Sequence, residues 1–161
     1  MTDFHELYSR YARDVHRFAL YLSCDRALAD DITSETFLRA WSSATPILEA
    51  TVKAYLFTIV RNLYFTERTR AARYVELNPS LPSSAASQDT RIEHQGALTA
   101  VLRALRTLPA IDRAALLMRT QDEMSYEEIA QALQLTLSSA KVKVHRARIK
   151  LAAMVERTVS S

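Results

Sequence analysis

The chain has 161 residues, enough for one compact domain or two small ones. Its 21 Lys and Arg against 18 Asp and Glu leave a net charge of +3, too slight a bias to mark a nucleic-acid binder unless the charges are clustered. A single glycine, Gly96, and a single cysteine, Cys24, argue against glycine-rich phosphate loops and hairpin-rich sheets and exclude an intrachain disulfide, which points to an all-α protein in a reducing compartment.

Phe4, Leu7, Tyr11, Val15, Phe18 and Leu22 recur at spacings of three and four, which predicts one apolar face of a helix from Asp3 to about Leu22. Residues 1–20 include Asp3, Glu6 and Asp14 and show no secretory signal. Cys24 reads as a small buried apolar residue. Asp25 is placed to cap a second helix, with Leu28, Ile32, Thr36 and Phe37 turned inward. Pro46 breaks the chain in a loop, and Thr51 can cap a third helix from Val52 to a basic end at Arg73. Of its aromatics Tyr55, Phe57, Tyr64 and Phe65, at least half are expected in the core.

Between Glu76 and Gln88, two prolines and four serines leave little with which to build a core, so this stretch reads as a flexible linker. A helical stretch follows from Arg91, and another helix opens at Pro109. No apolar run reaches membrane-span length, so a cytoplasmic protein without membrane insertion is expected.

Ser125 and Glu128 have the spacing of a capping box. The helix they open buries Ile129, Ala130 and Leu133 and ends in a short turn, where Gln134 stands in place of the usual glycine. On the next helix Ala140, Val144, Ala147 and Leu151 form a narrow inward stripe, and Lys141, Lys143, Arg146 and Lys150 face out. This is the pattern of a helix-turn-helix whose second helix enters the major groove. Val142 lies about 200° around that helix from Ala140 and is a candidate for a thymine methyl contact. His145, beside Arg146, is directed at DNA backbone.

Three stretches, in order, resemble the bacterial sigma factors of the extracytoplasmic-function (ECF) group: "ADDITSETFLRAW" (Ala29–Trp41), "AYLFTIVRNLYFTERTR" (Ala54–Arg70), and Leu108–Leu151, beginning "LPAIDRAALL" and ending "KVKVHRARIKL". The resemblance implies an all-α fold of two small helical domains, 1–74 and 91–161, joined by a flexible linker at 75–90, with the helix-turn-helix in the second. It implies that Asp30, Asp31, Glu35 and Arg39 face the polymerase clamp. The loop Ser42–Thr51 with Ile59 and Asn62 would hold a base extracted from the minus-ten element, and Arg61, Arg68, Arg70 and Arg73 would track the separated strand. Ser138, Ser139, Lys141, Val142, Lys143, His145, Arg146 and Lys150 would meet the minus-thirty-five element. "SSAKVK" stands where the family usually has Gly-Thr-Val-Lys-Ser-Arg, so base preference does not carry over, and Ile32 and Ser34 stand where leucine and glutamine are common.

The partners so implied are core RNA polymerase, promoter DNA and an anti-sigma factor, with no cofactor. His5, His16, His94 and His145 are scattered without metal-ligand spacing, and no nucleophile–base pair is visible, which argues against an enzyme. A stand-alone helix-turn-helix regulator is the other reading, but it leaves the first domain idle.

Overall fold

Carboxylate caps set the first two helices. Asp3 accepts the Glu6 N–H at 2.7 Å and opens α1 (Phe4–Ser23). Asp25 accepts the Leu28 N–H at 3.2 Å and opens α2 (Arg26–Ser42). Each cap satisfies a donor that the helix itself cannot. The remaining helices are α3 (Val52–Leu77), α4 (Ala97–Arg106), α5 (Ala110–Thr120), α6 (Tyr126–Leu133) and α7 (Leu137–Ser160). The computed structural model describes residues 3–43, 52–80 and 96–160, and these contain no strand. The expected Pro46 loop, the Thr51 cap and linker residues 81–90 lie outside them.

The periodic residues find the core as expected, with three exceptions at its edge, one of them Leu28 of α2, which is half-buried. Leu7, Val15, Phe18 and Leu22 of α1 are buried, whereas Tyr11 is half-buried and Phe4 exposed. Phe18 stacks on Phe57 of α3 with ring centroids 4.4 Å apart. In α2, Ile32, Thr36 and Phe37 are buried, and the Thr36 hydroxyl donates to the Ile32 carbonyl at 2.6 Å, so no hydroxyl is orphaned there. Of the five aromatics of α3, Phe57 and Tyr64 are core, Tyr55 and Phe65 pack on it partly exposed, and Tyr74 is exposed.

One boundary needs correction. α3 continues to Leu77, so residues 75–77, assigned to the linker from sequence, are helical. The helix ends at Leu77, two residues before Pro79, whose ring disfavours a helical Asn78. The two helical units also pack on each other, an arrangement the sequence leaves open. One apolar cluster runs from Leu7, Phe18 and Phe57 through Leu108 and Met118 to Ile129, Val144 and Ala147. It forms because α1 packs on α5 and α3 packs on α6.

Polar contacts register the two units. The Arg113 guanidinium donates to Tyr64 Oη at 2.9 Å, and Cys24 Sγ lies 3.7 Å from the Leu102 carbonyl. Asp122, whose side chain is fully buried, meets Arg17 at 3.2 Å and Lys53 at 3.6 Å. Burial pushes the Asp122 carboxyl above the usual carboxylate range, against the opposing pull of Lys53 and Arg17.

The turn between α6 and α7 is closed by Gln134 in the left-handed region, φ 57° and ψ 48°. There the Leu135 N–H reaches back to the Ala130 carbonyl at 2.8 Å, as in a Schellman ending. A side chain in this region is strained relative to glycine. Gln134→Gly is therefore expected to stabilise the chain by about 0.5–1 kcal/mol, measured by urea unfolding; an unchanged or lower midpoint would refute the strain.

Asp122 yields a second expectation. The folded chain holds its proton more tightly than the unfolded chain. Its contribution to stability is therefore full below the unfolded pKa, about 3.9, and is lost as pH rises through the higher folded value. Above the unfolded value the group is a net cost to stability, and Arg17 and Lys53 retain Asp14 at 3.3 and 3.2 Å without it. Asp122→Asn should leave the melting temperature at pH 7 unchanged or higher, with its advantage shrinking toward pH 4. A fall of more than about 3 °C, roughly 1 kcal/mol for a chain of this size, would show that attraction outweighs desolvation.

Candidate nucleic-acid interface

The helix-turn-helix is built from local hydrogen bonds that its sequence dictates. Ser125 Oγ accepts the Glu128 N–H at 3.1 Å, and Glu128 Oε1 accepts the Ser125 N–H at 2.9 Å, completing the expected capping box. Thr136 Oγ1 accepts the Ser139 N–H at 3.1 Å and starts α7. Ala140, Val144 and Ala147 are buried and Leu151 half-buried, so the inward stripe is as the sequence predicts.

Opposite this stripe, Lys141, Val142, His145, Arg146, Ile149 and Lys150 line one open groove. Ile149 was not anticipated, although its place seven residues after Val142 puts it on the same face, where it is 58% exposed. Ser138 is exposed at the start of the helix and Ser139 half-buried.

The cations of α7 are not all directed outward. Lys143 is half-buried and reaches back to Asp112 of α5 at 3.5 Å. Arg146 donates from Nε to Asp112 Oδ2 at 2.9 Å and from Nη2 to Oδ1 at 3.2 Å. These hydrogen bonds, and then the charge of Asp112, hold the Arg146 guanidinium above its ordinary pKa. Lys150 Nζ donates to the Thr107 carbonyl at 3.2 Å, and Lys141 Nζ lies 5.8 Å from the Tyr126 ring.

A second groove runs along α3, lined by Arg61, Asn62, Phe65, Thr66, Thr69, Arg70 and Arg73. Spacings of three and four bring these side chains onto one face. Asn62 Oδ1 accepts from Arg61 Nη1 at 2.9 Å, which leaves the amide to present N–H donors outward. Arg61 also lies 5.2 Å from the Phe65 ring centroid. Two expected members are elsewhere. Ile59 is half-buried against the core. Arg68 lies over Tyr64 and Phe65 at 6.0 and 5.9 Å and lines a different cleft, with Arg106 and Arg113. Phe65, Thr66 and Thr69 join the groove unannounced by any charge signal. Beyond Ser43, the loop to Thr51 lies outside the described residues.

On α2, Asp30, Asp31 and Arg39 are exposed and Glu35 half-buried. Asp30 is 2.8 Å from His16, and Glu35 pairs with Arg39 at 3.0 Å. Leu38 and Trp41 are more than half exposed on the same helix, and the Phe4 ring meets Trp41 at 5.7 Å. The acidic surface therefore has an apolar margin. Among the described residues no His, Cys, Asp and Glu cluster could hold a metal ion, and no helix is long and apolar enough to cross a membrane.

Comparison with known proteins assigns both units. The model of Sigma-70 region 2 matches residues 7–74, and that of Sigma-70 region 4 matches residues 98–151. The chain is 29% identical over 157 residues to ECF RNA polymerase sigma factor SigM of Bacillus subtilis, covering 96% of each chain. It is 34% identical over 146 residues to ECF RNA polymerase sigma factor SigL of Mycobacterium tuberculosis, covering 88% of this chain and 82% of that one. Its fold matches the sigma factor RpoE from Bartonella quintana, solved with the anti-sigma factor NepR, at a TM-score of 0.78 and 24% identity, covering 97% of this chain and 98% of that one. With both regions present in order and the relatives aligned along nearly the whole chain, the protein belongs to the ECF sigma factors of the sigma-70 family.

Proposed function

We propose that the chain directs core RNA polymerase to specific promoters, reading duplex DNA with α7 and holding the opened strand along α3. The observation that carries this reading is the presence of two cationic grooves of different chemistry in one chain. The groove on α7 combines cations with Val142 and Ile149, suited to a major groove with phosphates at its walls and thymine methyls on its floor. The groove on α3 combines Arg61, Arg70 and Arg73 with an aromatic ring and an amide donor, suited to unpaired bases and their backbone. A stand-alone regulator needs only the first groove and gives no role to the second. Both act by binding and not by bond-making, in the cytoplasm where the polymerase works.

Residues 7–74 form the unit proposed to bind the clamp and the minus-ten element, and residues 98–151 the unit proposed to bind the minus-thirty-five element, with the linker between them. Asp30, Asp31, Glu35 and Arg39 would steer α2 to a basic polymerase surface, and Leu38 and Trp41 would supply the apolar contact that charge alone does not. Chains of this fold have been solved with bound proteins, the sigma factor RpoE with the anti-sigma factor NepR and CnrH with the cytosolic domain of CnrY. An anti-sigma partner is accordingly proposed for this chain.

Polymerase reconstituted with the chain should initiate at defined genomic sites, mapped by sequencing transcript starts; initiation no different from core polymerase alone would end the proposal. Replacing both Arg70 and Arg73 by alanine should lower open-complex yield about tenfold and flatten its dependence on log salt by about 1.4, two contacts at roughly 0.7 each for a single strand. An unchanged slope would remove these residues from the strand path.

A further inference from the structure

We propose that Asp112 is a positioning residue that makes Arg146 a reader of guanine: it grips one edge of the guanidinium and fixes the other edge toward the major groove. The proposal rests on the reading of α7 as the groove-entering helix. Asp112 stands in the first turn of α5 and is 2% exposed, so it cannot itself reach DNA. Its carboxylate takes both donors of the Nε/Nη2 edge of Arg146, at 2.9 and 3.2 Å, in the bidentate geometry that fixes a guanidinium plane. Yet the Arg146 side chain remains 57% exposed and lines the groove beside Val142 and His145.

The chemistry of the fork decides what this arrangement can do. A guanidinium has five N–H donors, and an acid on the Nε/Nη2 edge leaves the Nη1/Nη2 edge with two parallel donors. Among the bases, guanine alone presents two acceptors, O6 and N7, side by side on its major-groove edge. An arginine anchored in this way has already lost the rotamer freedom that binding would otherwise cost, and it cannot swing to a neighbouring phosphate. Lys143 Nζ, 3.5 Å from the same carboxylate, is drawn away from the groove, which leaves Arg146 as the cation held at that point.

A competing account makes Asp112 a simple masking charge that weakens every phosphate contact alike. The two accounts differ in specificity and not only in affinity. Polymerase reconstituted with the full chain is used to select duplexes from a library randomised across the upstream element, and base preference is read at each position. The wild type should show a position with guanine preferred by about tenfold. Asp112→Asn should reduce that preference to about twofold or less while the other positions keep theirs. Arg146→Lys, which keeps the charge and loses the fork, should do the same. Thermal melting of both variants shows whether the fold survives.

Retention of the guanine preference in Asp112→Asn overturns the proposal. So does a parallel rise in binding to all duplexes at constant preference, which would be masking, or a parallel loss at every position, which would be a structural role alone. If Arg146→Ala changes neither the preference nor the affinity at any position, the failure belongs to the major-groove reading of α7 and takes this proposal with it.

Discussion

Burial of one continuous apolar face across both helical units is the constraint on which the rest of the structure depends. Neither unit is long enough to bury its large side chains generously by itself, and chains of this size gain by sharing surface. The stacked rings of Phe18 and Phe57, the fully buried Leu22 and Leu56, and the equally buried Ile129 and Leu133 belong to a single cluster. At about 25 cal/mol per Å² of apolar surface, removing such side chains from water outweighs any of the polar contacts between the units. Those polar contacts do something different. Arg17 and Lys53 of the first unit meet the buried Asp122 of the second, a directional contact beside the non-directional apolar one.

The same logic works at smaller scale in the helix-turn-helix. Ala140, Val144 and Ala147 are small, and a seam of small residues lets α7 lie close against α5. That closeness brings Arg146 and Lys143 within reach of Asp112. A leucine-rich seam would hold the two helices farther apart. The electrostatic arrangement of the exposed side is thus a consequence of side-chain volume on the hidden side. Gln134 contributes at the other end of the unit, where its left-handed backbone sets the angle between α6 and α7.

What could be read in the sequence was what repeats or lies close along the chain. The inward residues of α1, α2 and α7 followed from spacing, and the Ser125–Glu128 box followed from a separation of three residues. The sequence understates the length of α3, because its basic run resembles a helix end and no strong breaker stands before Pro79. Asp112 was missed because its partners lie 31 and 34 residues away and no local pattern connects them. Ile149 was hidden by its company, an apolar residue between Arg148 and Lys150. Arg68, given to the strand path by resemblance, departs in the opposite way, since its position on the helix turns it toward a different cleft.

These misses share a cause that also bears on function. Periodicity tells which way a side chain leaves its own helix, while chemistry at an interface depends on what the neighbouring helix offers in return. Lys141, Lys143, Arg146 and Lys150 are alike as charges in the sequence. In the folded chain Lys141 lies near an aromatic ring, Lys143 turns toward an acid, Arg146 is locked by the same acid, and Lys150 leans on a carbonyl. A cation that is free to move supplies mainly affinity, since it follows whatever phosphate is near. A cation held in one orientation can discriminate, because a base edge that does not match leaves its donors unmet. On the proposed reading of α7, the division between affinity and specificity is therefore drawn by the residues beneath the helix, and by Asp112 above all.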